Sequence, residues 1–515
     1  MKTAMTPLRF VETMPWHGHL AHVLLDGCAW AGCPCCGCRP PQKTASNGFR
    51  AEKPSLLAAI FSILFLAGLP LAAKPPNFVV VLGEGHGWSS TSVQMDDAVP
   101  ASKSATVSTP NLETLANGGM RFADFYAASP RCTPTRAAIF TGKSPAALHM
   151  TFVGEGKADN RGAANGKLLP PDCSIELPPG ETTIAEFLKA DGYATAHFGK
   201  WHVGRVDPSR HGFDESDGST NNGGPENVPN PHPKQLFGMT ERGMDFMARQ
   251  VRAGKPFYLQ MSHYAFRHAE GGRQESKESG KPEDGAPPDP AQAEADLDVA
   301  FGMVLKKIAG LGIANNTYVI FTTDHGTPGK NPPLAGGKGT VLEGGLRVPF
   351  IIRGPGIQPG TCSHVRAEDE DIFPTIAALA GITKSLPDGI EGGSLAGVVR
   401  GAGKGAVQRP REEFVVHFPH YDKDPDGPAS AILLGDFKLV RIYETGALSL
   451  YNIAQDPGER HDLAAEMPEK TKDLNVRLTG YLDAVRAQLP VPNPNYDPSK
   501  PADAPRGGEK RKAQQ

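Results

Sequence analysis

The chain has 515 residues, with 53 lysines and arginines against 56 aspartates and glutamates and a formal net charge of -3 at pH 7. This length exceeds one ordinary hydrophobic core, so we expect one large α/β domain with a smaller one appended, or two domains. The balanced charge gives no electrostatic footprint for nucleic acid, and we predict no nucleic-acid partner.

The N-terminal region contains an apolar run from Leu56 to Leu71 that follows Arg50 and Lys53 and ends near Ala73. This pattern is typical of a secretory signal and predicts a secreted or periplasmic protein. The run is short for a membrane span, so we expect membrane association only if it is retained. Five cysteines lie upstream, between Cys28 and Cys38, without the spacing of a metal-binding finger, and a translated leader is the simpler interpretation.

The first strand is predicted at residues 77–82, a continuous apolar run of the kind found in buried parallel sheets. Glu84 and Gly85 follow it directly. Active-site groups of such sheets lie just beyond the carboxyl ends of the strands, so this position is a candidate for function. A helix is predicted next, from Thr109 to Gly118.

The segment Cys132–Arg136, CTPTR, leads from a loop into a helix that is predicted to end at Gly142. Proline is tolerated in the first turn of a helix and glycine is favoured just after its end, which places Cys132 at the helix N-terminus. Unpaired N–H groups and the positive end of the helix dipole favour an anion there. An oxyanion substrate suits this site; the alternative is a buried free cysteine that caps a core helix.

Two later strands also end in polar side chains. The strand predicted at 194–198 leads to Lys200 and His202, which point to the same side of an extended chain and can face one anion. The strand predicted at 317–323 leads to Asp324 and His325. Further helices are predicted at 182–189, 240–252, 293–310 and 373–380, and further strands at 256–261 and 348–352.

A change of composition at residues 386–409 separates a region with alternating apolar and polar residues. Strands are predicted there at 413–418, 430–434 and 437–442, the last two joined in an antiparallel hairpin at Gly435 and Asp436. A helix is predicted at 469–486. His417 and His420 flank a proline and either line a substrate subsite or lie on the surface.

Three segments together resemble the signatures of the type I sulfatases: Cys132–Arg136, residues 192–202 (GYATAHFGKWH), and residues 336–349 (GGKGTVLEGGLRVP). The similarity extends in family order from about Pro76 to Pro490, and within the first signature only Arg131 departs from the usual pattern. The resemblance implies an α/β fold in which helices sandwich a large mixed, mostly parallel sheet, as in alkaline phosphatase. A smaller C-terminal α+β subdomain would carry an antiparallel sheet.

The division of the chain that we predict from this resemblance has four parts. Residues 1–73 form an N-terminal extension and signal peptide, and 74–400 form the sulfatase catalytic domain. Residues 401–490 form the C-terminal subdomain. Residues 491–515, rich in proline, lysine and arginine, form a disordered tail.

The resemblance also implies a modified nucleophile and a metal. In these enzymes a separate maturation enzyme oxidises the motif cysteine to formylglycine, here at Cys132, and that enzyme is an expected partner. Calcium is the expected cofactor. The implied ligands are Glu84, Cys132, Asp324 and His325, where the last takes the place of a more usual asparagine.

One position departs from the family's metal site. Gly85 stands where a second aspartate is usual, and we expect water, Asp96 or Asp97 to supply the missing ligand, since hard divalent cations prefer carboxylate oxygens and tolerate water. The alternative is that Glu84 merely closes a turn.

The resemblance assigns roles to further residues. The cations expected to offset charge on the transferring sulfate are Arg136, Lys200 and Lys338. His202 would take a proton from the second hydroxyl of the hydrated formylglycine, which releases sulfate. His268 is the expected proton donor to the leaving oxygen, with charge from Arg267 as the alternative, because Arg267 occupies the position where the family usually has histidine.

The implied activity is hydrolysis of a sulfuric ester in a sulfated small molecule or polysaccharide, with a sulfated carbohydrate favoured for a secreted hydrolase with long loops. Two alternatives stay open. One is a phosphate or phosphonate monoester hydrolase on the same fold, since phosphate and sulfate are nearly isosteric. The other is an inactive sulfatase-like protein that binds glycans, suggested by Gly85 and Arg267.

Overall fold

A computed structural model describes residues 74–153, 165–221, 236–264, 290–422 and 424–500, with the backbone alone at 290–293. The predicted signal segment, Arg267, His268 and residues 501–515 of the predicted tail lie outside the described residues. All described residues belong to one compact unit, Ala72–Gln515. The boundary predicted at residue 400 therefore stays a prediction. Within the described residues no helix has the length and apolarity that a membrane span requires.

The strands of the described residues are, in chain order, β1 Asn77–Gly83, β2 Met120–Phe122, β3 Phe125–Tyr126, β4 Leu168–Leu169, β5 Ala194–Gly199, β6 Glu215–Ser216, β7 Phe257–Ser262, β8 Thr317–Thr323, β9 Phe350–Arg353, β10 Thr361–Ser363, β11 Ala367–Glu368, β12 Phe414–Phe418, β13 Ala429–Leu434, β14 Phe437–Ile442, β15 Leu448–Asn452 and β16 Val491–Pro492.

The α-helices are α1 Pro110–Asn117, α2 Cys132–Thr141, α3 Pro145–Leu148, α4 Ile184–Lys189, α5 Leu236–Ala253, α6 Pro290–Gly310, α7 Glu343–Leu346, α8 Ile372–Leu379, α9 Ala396–Arg400 and α10 Pro468–Ala484. The ends follow local chemistry. Helix α2 stops at Gly142, whose φ of 67° is left-handed, and α4 begins at Thr183 in a capping box with Glu186.

The main sheet has eight strands in the order β10-β2-β9-β8-β1-β7-β5-β6. Strand β9 is antiparallel to both of its neighbours, and the other paired strands are parallel. The sheet is therefore mixed and mostly parallel, as predicted. Because β1, β5, β7 and β8 run side by side in one direction, their carboxyl ends lie at the same edge.

Helices cover both faces of this sheet. On β1, Phe78, Val80 and Leu82 pack in one core with residues of α2, α4 and α8. The alternate residues Val79 and Val81 pack in a second core with residues of α1, α5 and α6. Since side chains of a strand alternate between faces, a fully apolar strand is what a sheet buried on both sides requires.

A second, antiparallel sheet has the order β12-β13-β14-β15. One face packs on α10, where Ile432 and Leu439 share a core with Leu474 and Leu478. The other face packs against earlier parts of the chain, including Leu346 of α7. The predicted hairpin is confirmed, with Leu434 paired to Phe437 across the turn.

The two histidines of this sheet region are both buried, so the surface interpretation was wrong. His417 uses Nδ1 on Ser430 Oγ at 2.8 Å and Nε2 on the carbonyl of Gln488 at 2.9 Å. His420 contacts Thr151 Oγ1 at 2.7 Å. Contacts of this kind favour a structural role over a substrate subsite.

Candidate active site

The carboxyl edge of the main sheet brings the predicted site residues together. Gly83 of β1 pairs with Thr323 of β8, so Glu84 and Asp324 leave adjacent strands at the same level. Gly199 of β5 pairs with Ser262 of β7, and the next amide, of Lys200, donates to the Ser262 carbonyl at 2.7 Å. The strand register therefore accounts for the convergence of three segments that are more than 100 residues apart.

Four side chains at this edge form a buried cluster of potential metal ligands: Glu84, Cys132, Asp324 and His325. One ligand atom from each lies within 4.8 Å of the others. Cys132 Sγ is 3.1 Å from His325 Nε2 and 3.6 Å from Glu84 Oε1. These are the four residues that the sequence assigned to the metal.

Cys132 is the first residue of α2, and its side chain is buried. Lys338 Nζ lies 3.6 Å from its sulfur. Burial raises the pKa of the thiol, but the charges of Lys200 and Lys338 outweigh that effect and hold the pKa well below its usual value. The environment therefore favours an anion at position 132, as the helix N-terminus predicts.

Glu84 lies between two lysines. Its Oε1 is 3.0 Å from Lys338 Nζ, and its Oε2 is 3.1 Å from Lys200 Nζ, close enough for an ion pair but not aligned as a hydrogen bond. Burial opposes ionisation of Glu84, yet these two charges keep its pKa well below the usual value. The carboxylate is therefore ionised and its Oε2 accepts no hydrogen bond within the described residues.

Arg136 is fully buried and faces Asp324. Its Nε and Nη2 both donate to Asp324 Oδ2, at 3.0 and 2.9 Å, and Nη1 donates to the Lys200 carbonyl at 2.6 Å. A charge-assisted contact of this kind fixes the orientation of the acceptor. The geometry therefore suits a role of Arg136 in positioning Asp324, and its part in offsetting charge on the transferring sulfate stays a prediction.

The ring of His325 is oriented by its neighbour. Nδ1 lies 2.9 Å from the Gly326 carbonyl, which accepts a hydrogen bond only if Nδ1 carries the proton. Nε2, which is 3.3 Å from Asp324 Oδ1, faces the cluster and is the ring nitrogen left for a metal. This is the arrangement in which histidine binds a metal.

Gly85 has a left-handed φ of 73°, and its amide donates to Asp324 Oδ1 at 3.2 Å. A Cβ at this position would lie 3.3 Å from His325 Cε1. The imidazole of His325 thus occupies the space into which a side chain at position 85 would point. Asp96 and Asp97 lie outside the cluster, and Asp97 instead pairs with Arg121 at 2.9 Å. Neither aspartate belongs to the cluster, and the source of the missing ligand, with water as the remaining alternative, stays a prediction.

His202 follows Lys200 on the segment after β5 and is buried. Its φ is 59°, a left-handed conformation that is uncommon for residues other than glycine and that clusters at functional sites. Its amide donates to the Thr220 carbonyl at 2.9 Å. The structure thus brings Lys200 and Lys338 to the cluster and gives His202 a strained backbone nearby in the chain.

Sequence reasoning missed two buried contacts around the cluster. His86 Nδ1 lies 2.7 Å from Glu294 Oε1, and only the position of His86 just after Glu84 could have indicated it. Arg131 forms a salt bridge with Asp422, which lies 291 residues later in the chain. The one sequence feature that pointed to Arg131 is that this residue departs from the usual pattern of the first signature.

Comparisons with known proteins agree with this geometry. The family model described as Sulfatase matches residues 76–382. The chain is 30% identical to arylsulfatase A of Homo sapiens over 500 residues, which covers 83% of this chain and 90% of that protein. It is 31% identical to N-acetylgalactosamine-6-sulfatase of Sus scrofa over 378 residues, which covers 64% of this chain and 67% of that protein.

Among solved structures, the crystal structure of Ps i-CgsB in complex with k-i-k-neocarrahexaose is similar, with a TM-score of 0.62 and 20% identity. The match covers 79% of this chain and 93% of that one. Together with the sheet order, this likeness confirms the predicted alkaline phosphatase-like fold. The chain therefore belongs to the sulfatase family and is a sulfatase, an enzyme that hydrolyses sulfuric esters.

Proposed function

We propose that this sulfatase releases inorganic sulfate from a sulfated carbohydrate, with Cys132 oxidised to formylglycine as the nucleophile and with calcium as the metal. The observation that carries the proposal is the position of Cys132, at a helix N-terminus and within 4.8 Å of three potential metal ligands. Two names support a sugar substrate: the relative called N-acetylgalactosamine-6-sulfatase and the structure solved with neocarrahexaose.

The residues of the cluster fit a divalent cation. Glu84 and Asp324 supply carboxylate oxygens, which calcium prefers, and oxidation of Cys132 would replace a sulfur atom by oxygen. Glu84 Oε2 is buried without a hydrogen bond, as expected of an atom that is available to a metal. Calcium bound there would lower the pKa of an oxygen nucleophile and polarise the sulfate.

Lys200 and Lys338 bind the anionic substrate in this proposal. Lys200 is fully buried, whereas the Lys338 side chain keeps a little exposure at the mouth of the site. Both ammonium groups now face Glu84, and a metal on that carboxylate would leave them directed at a sulfate oxygen. Because the lysines are already in place, little rearrangement is needed as charge develops in the transition state.

Protons are handled by histidines in this proposal. His202 takes a proton from the second hydroxyl of residue 132, which regenerates the aldehyde and releases sulfate. His268 is proposed to protonate the leaving oxygen. Arg136 acts on Asp324 rather than on the substrate.

The maturation enzyme that oxidises Cys132 is a required partner in this proposal. The segment from Leu56 to Leu71 would direct the chain to a secretory route, which places the mature enzyme in the periplasm or outside the cell.

The test is sulfate release from a panel of sulfated mono- and oligosaccharides by protein co-expressed with a formylglycine-generating enzyme. We expect release from at least one saccharide, loss of release after treatment with a calcium chelator, and recovery when calcium is added back. Absence of release from every saccharide, alongside hydrolysis of simple aryl sulfates, would contradict the carbohydrate assignment. Activity that is indifferent to chelation would contradict the metal.

A further inference from the structure

Arg131 lies immediately before the proposed nucleophile, at the N-cap position of α2, and its side chain makes no capping bond. The guanidinium instead donates to the two carboxylate oxygens of Asp422, through Nε and Nη2. The Asp422 side chain is almost fully buried, so the arginine is held by a rigid partner. A fork-shaped contact of this type fixes the plane of the guanidinium.

Asp422 also touches the loop that carries Lys338. A Cβ at Gly339 would lie 2.6 Å from Asp422 Oδ2, so only glycine leaves room for the carboxylate. The Gly339 amide donates to the Pro130 carbonyl at 3.1 Å, next to Arg131. Three distant segments of the chain therefore meet beside the nucleophile and place Arg131 next to Lys338.

Arg131 keeps one edge of its guanidinium open. Nη1 makes no hydrogen bond with the described residues, and 16% of the side chain is exposed. The Lys338 side chain has a similar exposed fraction of 12%, whereas the side chains of Arg136 and Lys200 are fully buried. Arg131 is thus a cation at the mouth of the site with unused donors.

We propose that Arg131 is a specificity-determining residue that binds a second oxyanion, a carboxylate or a second sulfate, on the part of the substrate that leaves as the alcohol. Asp422 is its positioning residue. The inference rests on the proposed function for the reaction. In the proposed function the transferring sulfate faces Lys200, Lys338 and the metal ligands, whereas Arg131, with its side chain partly exposed, would face the rest of the substrate. A planar pair of N–H donors matches an oxyanion.

Binding to the Cys132→Ala protein tests the proposal without turnover. Calorimetry would compare three esters of one ring: 3-carboxyphenyl sulfate, resorcinol disulfate, and the monoanionic analogue 3-carbamoylphenyl sulfate. We expect at least one dianionic ester to bind about tenfold more tightly than the monoanionic analogue, as for one charge-assisted contact. Tighter binding of 3-carboxyphenyl sulfate alone identifies the second oxyanion as a carboxylate. Tighter binding of resorcinol disulfate alone identifies it as a sulfate. Equal affinities, or no binding of any ester, would overturn the proposal.

Variants assign the preference to Arg131. Arg131→Leu alone leaves Asp422 buried and unpaired, so the double variant Arg131→Leu/Asp422→Asn is measured beside it. In the double variant the tenfold preference should vanish while affinity for the monoanionic ester stays within about twofold; a preference that persists would overturn the proposal. Arg131→Lys keeps the charge without the fork and should retain only part of the preference.

Turnover is a separate measurement. Since position 131 adjoins the maturation motif, kcat/KM values of these variants must be normalised to the formylglycine content found by mass spectrometry. If the wild-type enzyme releases no sulfate, the proposed function fails, and the binding comparison with Cys132→Ala still decides the role of Arg131.

Discussion

Arg136 binds Asp324 through two guanidinium nitrogens that share one carboxylate oxygen, Oδ2, at 3.0 and 2.9 Å. The other oxygen, Oδ1, is left toward the cluster, 3.3 Å from His325 Nε2. The arginine that begins the second turn of the motif helix thus acts on a predicted metal ligand. We expect its charge to act on the reaction through the orientation of Asp324.

The first prediction concerns this contact. Arg136→Lys keeps the positive charge but cannot make both contacts with Asp324 and the bond to the Lys200 carbonyl. We expect the calcium concentration for half-maximal activity to rise about 10- to 100-fold, as for other residues that orient metal ligands. Calcium titration of sulfate release measures the effect.

Arg121→Lys is the matched control, because Arg121 pairs with the exposed Asp97 away from the cluster. Its calcium dependence should match that of the wild type. If Arg136→Lys instead lowers the rate at every calcium concentration without a shift of the midpoint, Arg136 acts on the substrate as the sequence first indicated.

The second prediction concerns Gly85 and His325, which share one space. Gly85→Asp would press on the imidazole and adopt a left-handed φ, and His325→Asn would replace the ring nitrogen by the amide of a shorter side chain. The double variant has room for the new carboxylate, so we expect it to retain more activity than the product of the two single effects. A coupling of about 1 kcal/mol, or roughly fivefold in kcat/KM, is expected for residues in contact.

Measurement of kcat/KM for the four proteins of this cycle gives the coupling directly. Calcium affinity from the same samples shows whether the gain arises at the metal. Strictly additive effects would show that the two positions do not compete for the same space.

The third prediction concerns a buried lysine that joins the antiparallel sheet to α7. Lys438 of β14 is fully buried, with Nζ 3.1 Å from Glu343 Oε1 and 2.9 Å from Glu459 Oε1. Lys438→Met removes the cation nearest to two buried carboxylates, and we expect the free energy of unfolding to fall by about 3–5 kcal/mol. Urea denaturation measures it.

Lys189→Met is the control, since Lys189 forms a half-exposed pair with Asp214. Lys189→Met should lower the free energy of unfolding by less than about 1 kcal/mol. Equal losses for the two lysine variants would mean that the buried triad contributes no more than a surface pair.

The fourth prediction concerns pH. Glu370 is buried between β11 and α8, and burial, with the nearby charge of Asp369, raises its pKa to about 8. In the unfolded chain the pKa of this carboxyl group is about 4.3. Between these two pKa values Glu370 is therefore protonated in the folded state and ionised in the unfolded chain. Stability from this group is complete below the unfolded pKa and is lost as the pH rises through the folded pKa.

Glu370→Gln cannot lose that proton, so the variant should gain stability relative to the wild type as the pH rises from 5 to 8. Urea midpoints at both pH values for wild type, Glu370→Gln and the exposed-site control Glu215→Gln test this. Parallel pH profiles for wild type and Glu370→Gln would show that the carboxyl group titrates normally.

Much of the site could be predicted because its residues come directly after the ends of buried strands. A polar residue directly after a buried parallel strand must lie at the functional edge, which located Glu84, Lys200, Asp324 and His325. The helix start at Cys132 followed from Pro134 and Gly142 in the same way. These signals are local, so one sequence is enough to detect them.

The remaining features depend on contacts between distant segments. Arg131 and Asp422 are 291 positions apart, and no local pattern links them. The reversed direction of β9 could not be predicted either, because a four-residue apolar strand has no sequence feature that sets its direction. The contact of Arg136 with Asp324 could not be predicted, because the sequence shows the charge of the arginine but not the carboxylate that it faces.

Residue 132 is proposed to act as formylglycine, so activity should depend on the oxidation of Cys132. Trypsin cuts after Arg131 and Arg136, so one short peptide reports residue 132 as thiol or aldehyde by mass spectrometry. Samples expressed with graded amounts of maturation enzyme should release sulfate in proportion to their aldehyde fraction, with none from Cys132→Ala. Full sulfate release by a sample that holds only the thiol would contradict the claim.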